Sequence, residues 1–587
     1  MPGYQGKILR INLTAGSSVV EKLNPKWAGL FLGGKGLGIK YLYEELAPGI
    51  DALAPDNKLI LITGPFTGTV VPCSGKLSIV TKSPGTGTIL DCSIGGTAAV
   101  ELKRAGYDAV IIEGKAAEPV YLWIEDNRVE IKNAGECRGL GCHATENKLK
   151  EAHGEDSSVL SIGPAGENMV SFACISSELY RQAGRGGVGA VMGSKNLKAV
   201  AVRGTGGVLA ADAAKLMDVA YNAFKNDLLT DTNLWAYTDG TPMLVELSQT
   251  TGILPTNNFQ QGTFDAFNQI KSESVAAVRT AKKGCTSCGL GCGNFVRAGR
   301  SAVEGPEYET LSIAGSNCGI GSLEAIVEFN RLCDDLGLDT ISAGGVTAFA
   351  MELTEKGIHD FGIRFGDVEK YLQVPGLIAA GDGLGKELAR GVRALAQIYG
   401  GQDYAMQVKG LEFPGYDPRG SWGMGLAFAT APRGACHMSA WPAADEAYGE
   451  LDPFTIEGKA GLVKDLQHYN AAKFSLILCD FWALSFDVMA EMLAALLGRE
   501  ITAGDLELAG ERIFNLARLF NIREGFSSQD DVLPQRIYSQ PLPSGATAGK
   551  TLPEADFKNM LAQYYSLRGW DESGQPGQDK LNLLGLR

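Results

Sequence analysis

The chain has 587 residues, 45% of them apolar, so about three to five domains with sizeable cores are expected. Its 53 Lys and Arg against 67 Asp and Glu leave a formal net charge of −14, and no basic block stands out, which argues against nucleic-acid and anionic-membrane partners. Most of the 12 cysteines stand singly among apolar residues (Cys73, Cys92, Cys174, Cys318, Cys333), the usage of a reducing compartment. Met1–Gly6 leads straight into a strand-like run, so no leader is expected, and the most apolar stretch, residues 474–498, carries Asp480, Asp487 and Glu491. A cytoplasmic protein without a membrane span is therefore expected.

In chain order, the first two hundred or so residues read as sheet. Leu9, Ile11 and Leu13 alternate with Arg10 and Asn12, and runs at 120–124 and 129–131 flank Asp126-Asn127, a hairpin signal. One pattern occurs twice. A strand at 59–63 runs into Gly64-Pro65, then a strand at 77–81 and a turn at Gly95-Gly96. A strand at 159–162 runs into Gly163-Pro164, then a strand at 169–175 and the glycine-rich run 184–189. This reads as a weak internal duplication, or equally as strands that end in Gly-Pro.

After the link at 204–207 the period becomes helical, first over 211–226. Ser322 is placed to cap a helix carrying Leu323, Ile326, Val327 and Cys333, with Gly337 at its C-cap; a second helix is expected from Ser342 to Gly357. Helical patterns recur at 488–497 and 506–520. The expected fold is α+β: a β-rich N-terminal domain (1–207) followed by two mainly α-helical domains (208–415 and 416–587).

The strongest local signal is Cys285, Cys288 and Cys292, spaced C-x2-C-x3-C and threaded with glycine. Three thiolates so spaced wrap one face of an iron–sulfur cubane. Zinc is the rival, although no second well-spaced Cys or His pair follows, and a purely structural role comes last. A fourth ligand has to come from elsewhere. Cys479 is the candidate, which spacing alone does not establish.

Further segments resemble the tungsten-containing aldehyde:ferredoxin oxidoreductases. They are the runs at 33–36, 81–84, 95–96, 103–108 and 183–195, Gly305-Pro306-Glu307-Tyr308-Glu309, the D-x-x-G-L-D run from Asp334 to Asp339, the run 433–437 and the lone Cys479. They follow family order over nearly the whole chain. The resemblance implies a β-rich base for a tungsten (or molybdenum) bis-pterin, with two helical domains closing over it. It also implies a 4Fe-4S cluster on Cys285, Cys288, Cys292 and Cys479, and Mg2+ bridging the pterin phosphates. It assigns cofactor contacts to Lys76, Ser93, Gly95, Gly96, Ala183, Gly184, Arg185, Gly186, Asp334, Gly337, Leu338, Asp339 and Leu478.

Elementary chemistry agrees with these assignments. A carboxylate such as Asp334 or Asp339 accepts two parallel N–H donors from a pterin edge, although Asp334 ending one helix and Asp339 capping the next explains the pair as well. The N–H groups of the glycine run 184–189 suit pterin phosphates, and Arg185 adds charge.

By resemblance Glu309 is the base that accepts a proton from water and His437 the donor to the aldehyde oxygen, with Glu307 a rival to Glu309. The implied reaction takes an aldehyde to its carboxylic acid, or the reverse, and passes electrons to ferredoxin or a small iron–sulfur subunit. A homodimer is compatible with it. Four positions depart from the family. Phe474 and Ile477 stand where a second motif, D-x-x-G-L-C, has its aspartate and glycine. Lys76 stands where arginine is expected. His359 lacks the context of a subunit-bridging iron site, so no such iron is expected. The alternatives are a tungsten subunit of an aromatic acyl-thioester (benzoyl-CoA type) reductase and a non-catalytic scaffold.

Overall fold

The computed structural model describes residues 1–586. Twelve strands of the N-terminal region form two six-stranded sheets. The first holds β1 (Lys7–Asn12), β2 (Ser17–Lys22), β3 (Leu59–Ile62), β4 (Leu77–Lys82), β5 (Ile89–Ile94) and β6 (Ala109–Glu113), in the order β2-β1-β6-β3-β4-β5. The second holds β7 (Val120–Glu125), β8 (Arg128–Asn133), β9 (Ser158–Ser161), β10 (Ile175–Ser177), β11 (Arg181–Ala183) and β12 (Leu197–Arg203), in the order β8-β7-β12-β9-β10-β11. In each, the first two strands form an antiparallel hairpin, the first pairs parallel with the last, and the others are antiparallel. The topologies are identical, and β3 and β9, which run into Gly64-Pro65 and Gly163-Pro164, are equivalent strands. The repeat suspected in the sequence is a repeat of architecture.

Strand alternation sets the layers. Leu9, Ile11, Leu61 and Ile79 share one core with Leu122, Ile124, Leu160 and Val200 of the other sheet. Ile8, Ile62 and Val80 point the other way, against the helix Gly34–Glu45 and the C-terminal helix Ala503–Arg523. The strand expected at 169–175 does not form. Met169 has φ 55°, and the N–H groups of Ser171 and Cys174 bond to Ala389 and Gly337 of the helical region rather than to a sheet neighbour.

A three-stranded sheet, β13 (Arg279–Lys283), β14 (Gly293–Ala298) and β15 (Ser301–Glu304), carries the cysteine triplet in the loop between β13 and β14. Beyond it lies the helix Leu323–Leu336, capped by Ser322 and closed by Gly337 at φ 76°. The next helix, Thr340–Glu355, starts earlier than Ser342, because the Asp339 carboxylate accepts the N–H groups of Ile341 and Ser342 and takes the cap. One apolar core runs from Val245 through Phe413, Tyr416 and Met424 to Trp570. Residues 411–436 are buried throughout, so we propose the division at 415/416 as one of sequence, not of core. No helix among the described residues is long and apolar enough to cross a membrane.

Candidate active site

A cavity of about 880 Å³ opens between the N-terminal sheets and the helical region. Its wall gathers Lys76, Ser93, Gly95, Gly184, Arg185, Asp334, Leu338, Asp339, Glu309, His437 and the four cysteines Cys285, Cys288, Cys292 and Cys479. Gly96, Ala183, Gly186, Gly337 and Leu478 are not on that wall. Gly96 abuts Glu178, Ala183 pairs with Ile175, Gly186 packs on Leu90, Gly337 caps its helix and Leu478 is core.

At one end stand the cysteines. A Cβ on Gly95 would lie 2.5 Å from the Cys285 sulfur, and one on Gly75 2.6 Å from the Thr286 carbonyl, so glycine lets the base approach the loop. The Cys479 N–H donates to the Cys73 carbonyl at 3.0 Å, and the Cys73 N–H to the Ser287 carbonyl at 2.8 Å, which ties three separate segments together. Cys73 is a fifth cysteine here. The contact between its thiol and that of Cys288, with burial, raises Cys73, and the same contact lowers Cys288. Lys76 pairs with Asp480 at 2.6 Å. Burial opposes its charge, but Asp480 and the thiols of Cys479 and Cys285 outweigh that and hold its pKa well above the ordinary value.

On the flank of the second sheet, Asp334 accepts from Gln182 at 3.1 Å and from Asn330 at 3.0 Å, and burial pushes its carboxyl well up. Further N–H donors, such as a pterin edge carries, would favour its charged form and lower it again. Asp339 has already spent its oxygens on the helix cap and the Ser342 hydroxyl, so the capping reading accounts for most of it. Arg185 braces the opposite wall through the carbonyls of Ala435 (2.8 Å) and Glu412 (2.6 Å). Part of the glycine run serves packing. A Cβ on Gly187 or Gly189 would strike the carbonyl of Ser171 or Cys174, and the Gly189 N–H is used by Ala173. Those glycines let a seven-residue helix pack on backbone; only Gly184 and Arg185 reach the cavity.

The repeat extends into the helical region. Gly163 packs against the Leu336 carbonyl, and Gly64 packs against that of Leu476. Ile477, at φ 67°, matches Gly337, at φ 76°. Asn470 and Phe474 match Asn330 and Asp334, and all four line the cavity. The first-sheet flank has thus exchanged a carboxylate for a ring and kept the amide. A left-handed β-branched residue is an outlier, held here by burial to 1% exposure.

At the other end Glu309 and His437 meet. Glu309 Oε2 accepts the Gly415 N–H at 2.8 Å, and Oε1 lies 3.6 Å from His437 Nδ1, too far for a direct bond. Both atoms are buried and have no hydrogen-bond partner. Burial pushes Glu309 up to about 7, whereas burial and the charges of Arg185 and Arg433 push His437 down to about 3. The pair is a carboxyl that titrates near neutrality beside a neutral imidazole. Glu307, two residues away, bonds the Thr241 hydroxyl and faces Arg181 and Lys282 at the cysteine end.

The family profile for the aldehyde ferredoxin oxidoreductase N-terminal domain matches residues 8–204, and that for domains 2 and 3 matches residues 216–586. The chain belongs to the aldehyde ferredoxin oxidoreductase family. It is 42% identical over 606 residues to the tungsten-containing aldehyde ferredoxin oxidoreductase of Pyrococcus furiosus, covering 100% of this chain and 99% of that one. It is 32% identical over 635 residues to the same organism's aliphatic sulfonate oxidoreductase, WOR-like subunit, covering 100% and 97%. Among solved structures it is similar to the active site complex BamBC of benzoyl coenzyme A reductase in complex with 1,5 dienoyl-CoA. That match has a TM-score of 0.86 at 27% identity and covers 100% of this chain and 97% of the other.

The chain is therefore an oxidoreductase of a tungsten enzyme family, and its residues fit the family's cofactor chemistry: thiols at one end, buried acceptors on the flank, a proton-handling pair at the other. Sequence reasoning missed several residues of this cavity. Gln182 and Asn330 orient Asp334, and Arg181 pairs with Glu304 at 2.8 Å. Asp480 holds Lys76, and Lys473 is pushed down to about 8 by burial. The one available signal was Asn330 and Asn470, each four residues before its loop's first motif position.

Proposed function

We propose that the protein oxidises aldehydes to carboxylic acids, with water as the oxygen source, and delivers two electrons singly to ferredoxin or a small iron–sulfur subunit. The observation that carries this is Glu309 facing His437 in a cavity whose far wall presents Cys285, Cys288, Cys292 and Cys479. Overall, aldehyde and water give carboxylic acid, two electrons and two protons.

Asp334, Arg185, Gly95 and Ser93 would hold a bis-pterin tungsten group, which would supply the two-electron oxidation, and the four cysteines would hold a 4Fe-4S cluster, which would supply the one-electron exit. The protein's residues manage the rest. Glu309, near neutrality, takes a proton from the attacking water. His437 stays neutral and donates a hydrogen bond to the aldehyde oxygen as charge gathers there. Tyr416, Trp441 and Tyr448 wall this end and limit water to what the reaction uses. The 42% identity to aldehyde oxidoreductases, against 27% to the acyl-thioester reductase complex, favours this reading over ring reduction. Metal analysis of anoxically purified protein tests it: about four iron and one tungsten per chain are expected. Stoichiometric zinc without tungsten or molybdenum would overturn it.

A further inference from the structure

We infer that Lys473 and Asn470 hold the second pterin on the first-sheet flank, by its lactam N–H and carbonyl, where Asp334 takes N–H groups alone on the other flank; this rests on the bis-pterin reading above. The helix Lys459–Ser475 turns Leu466, Tyr469, Asn470, Lys473 and Phe474 to the cavity, the spacing of one helical face. The repeat of architecture sets the comparison. The offset that matches Asn470 with Asn330 and Phe474 with Asp334 matches Lys473 with Cys333. Cys333 lies in the helical core, off the cavity wall. Lys473 is on the wall and only 1% exposed. One flank therefore presents an amide and a carboxylate, the other an amide, a ring and an ammonium. The charge has moved by one position and reversed its sign.

Lys473 is not spent on the protein. Among the described residues its one hydrogen bond goes to the Asp480 carbonyl at 3.0 Å, and its one ring contact is Tyr469, 5.0 Å from ammonium to ring centre. The Asp480 carboxylate is taken by Lys76 at 2.6 Å. An ammonium carries three protons, and a buried one is costly until acceptors complete it. The Asn470 amide nitrogen donates to the carbonyls of Met438 and Ser439, both at 3.2 Å, and its oxygen accepts from no described residue. A carboxylate offers two acceptors and suits two adjacent N–H groups. An amide oxygen one helical turn from an ammonium offers an acceptor and a donor instead. A pterin carries both patterns: N–H groups side by side on its amino edge, and N–H beside C=O on its lactam edge. Phe474 adds a flat apolar surface next to the pair.

The test reads cofactor retention, not turnover. Holoenzyme is held anoxically in dilute guanidinium, and released tungsten, released pterin (as its fluorescent oxidation product) and released iron are followed with time. Lys473→Met should release tungsten and pterin about tenfold faster or more, the loss of one charge-assisted hydrogen bond, while iron stays bound. Lys464→Met, on the same helix but off the cavity wall, should release them at the wild-type rate. Lys473→Met/Phe474→Asp returns a carboxylate to the position that matches Asp334 and should slow release again. Wild-type release in Lys473→Met would overturn the inference, as would a double variant that leaks as fast as the single one. Iron lost in step with pterin would also overturn it and assign Lys473 to the cysteine loop. A wild type that holds iron but no tungsten, molybdenum or pterin would instead overturn the bis-pterin reading.

Discussion

Replacing Glu309 by Gln isolates the proposed base. The amide keeps the size and the Gly415 bond, but the group can no longer accept a proton from water. Burial places Glu309 at about 7, so its ionised fraction is about one-tenth at pH ~6 and about nine-tenths at pH ~8. His437, pushed down to about 3, stays neutral across that window and adds no limb. Wild-type kcat/KM for an aldehyde should therefore rise about tenfold between those pH values along one limb. Glu309→Gln should lie roughly a hundredfold to ten-thousandfold lower and be flat, with normal metal content.

Stability gives an independent sign. The folded pKa lies above the ordinary carboxyl value of 4.5, so the stability linked to this group is fully present below that value and lost as pH rises through about 7. At pH ~8 the Gln variant should melt no lower than wild type. The assay is viologen reduction under strict anoxia, with melting curves alongside. Glu307→Gln, at the cysteine end, should keep the limb. A surviving limb in Glu309→Gln, or its loss in Glu307→Gln, would refute the reasoning and move the base.

Cys479→Ala should lose or degrade the iron–sulfur cluster, read by iron content and visible absorption, while Cys333→Ala, deep in a helix core, should not. An intact cluster in Cys479→Ala would point to Cys73, the other thiol against the loop. His437→Ala should lower aldehyde turnover on the order of a hundredfold or more with metals retained. Asp334→Leu removes the acceptor shared by Gln182 and Asn330 and should lower tungsten per chain more than iron, both read by metal analysis. Arg536→Met should lower the melting temperature, because it removes the guanidinium that pairs with both oxygens of fully buried Glu352 and leaves that carboxylate only Asn258 and Lys356; the loss should stay below the about 3–5 kcal/mol of a buried charge left without any partner.

Much of the fold was legible because its signals are local. Ser322 and Gly337 marked a helix by cap chemistry, and Asp126-Asn127 marked the β7–β8 hairpin. What failed depended on distant partners. The run 169–175 has strand composition, but its N–H groups serve the helical region. Ser342 was a plausible helix start until Asp339 took the cap. At the cavity, the motifs named most of the residues that meet on its wall, and the residues bonded to them belong to no motif. Gln182, Asn330 and Asp480 carry no spacing pattern and become visible only beside Asp334 and Lys76. The glycine run was ambiguous because a phosphate cradle and a packing contact ask for the same residue; the neighbouring carbonyls show packing at Gly187 and Gly189.

The most direct test of the central claim is product stoichiometry. Holoenzyme is incubated anoxically with benzyl viologen and each of a panel of small aliphatic and aromatic aldehydes, and the carboxylic acid formed is counted against the viologen reduced. Two viologens reduced per carboxylic acid, with the oxygen drawn from labelled water, is the expected result. A metal-replete protein that leaves every aldehyde untouched but reduces an aromatic thioester would contradict it.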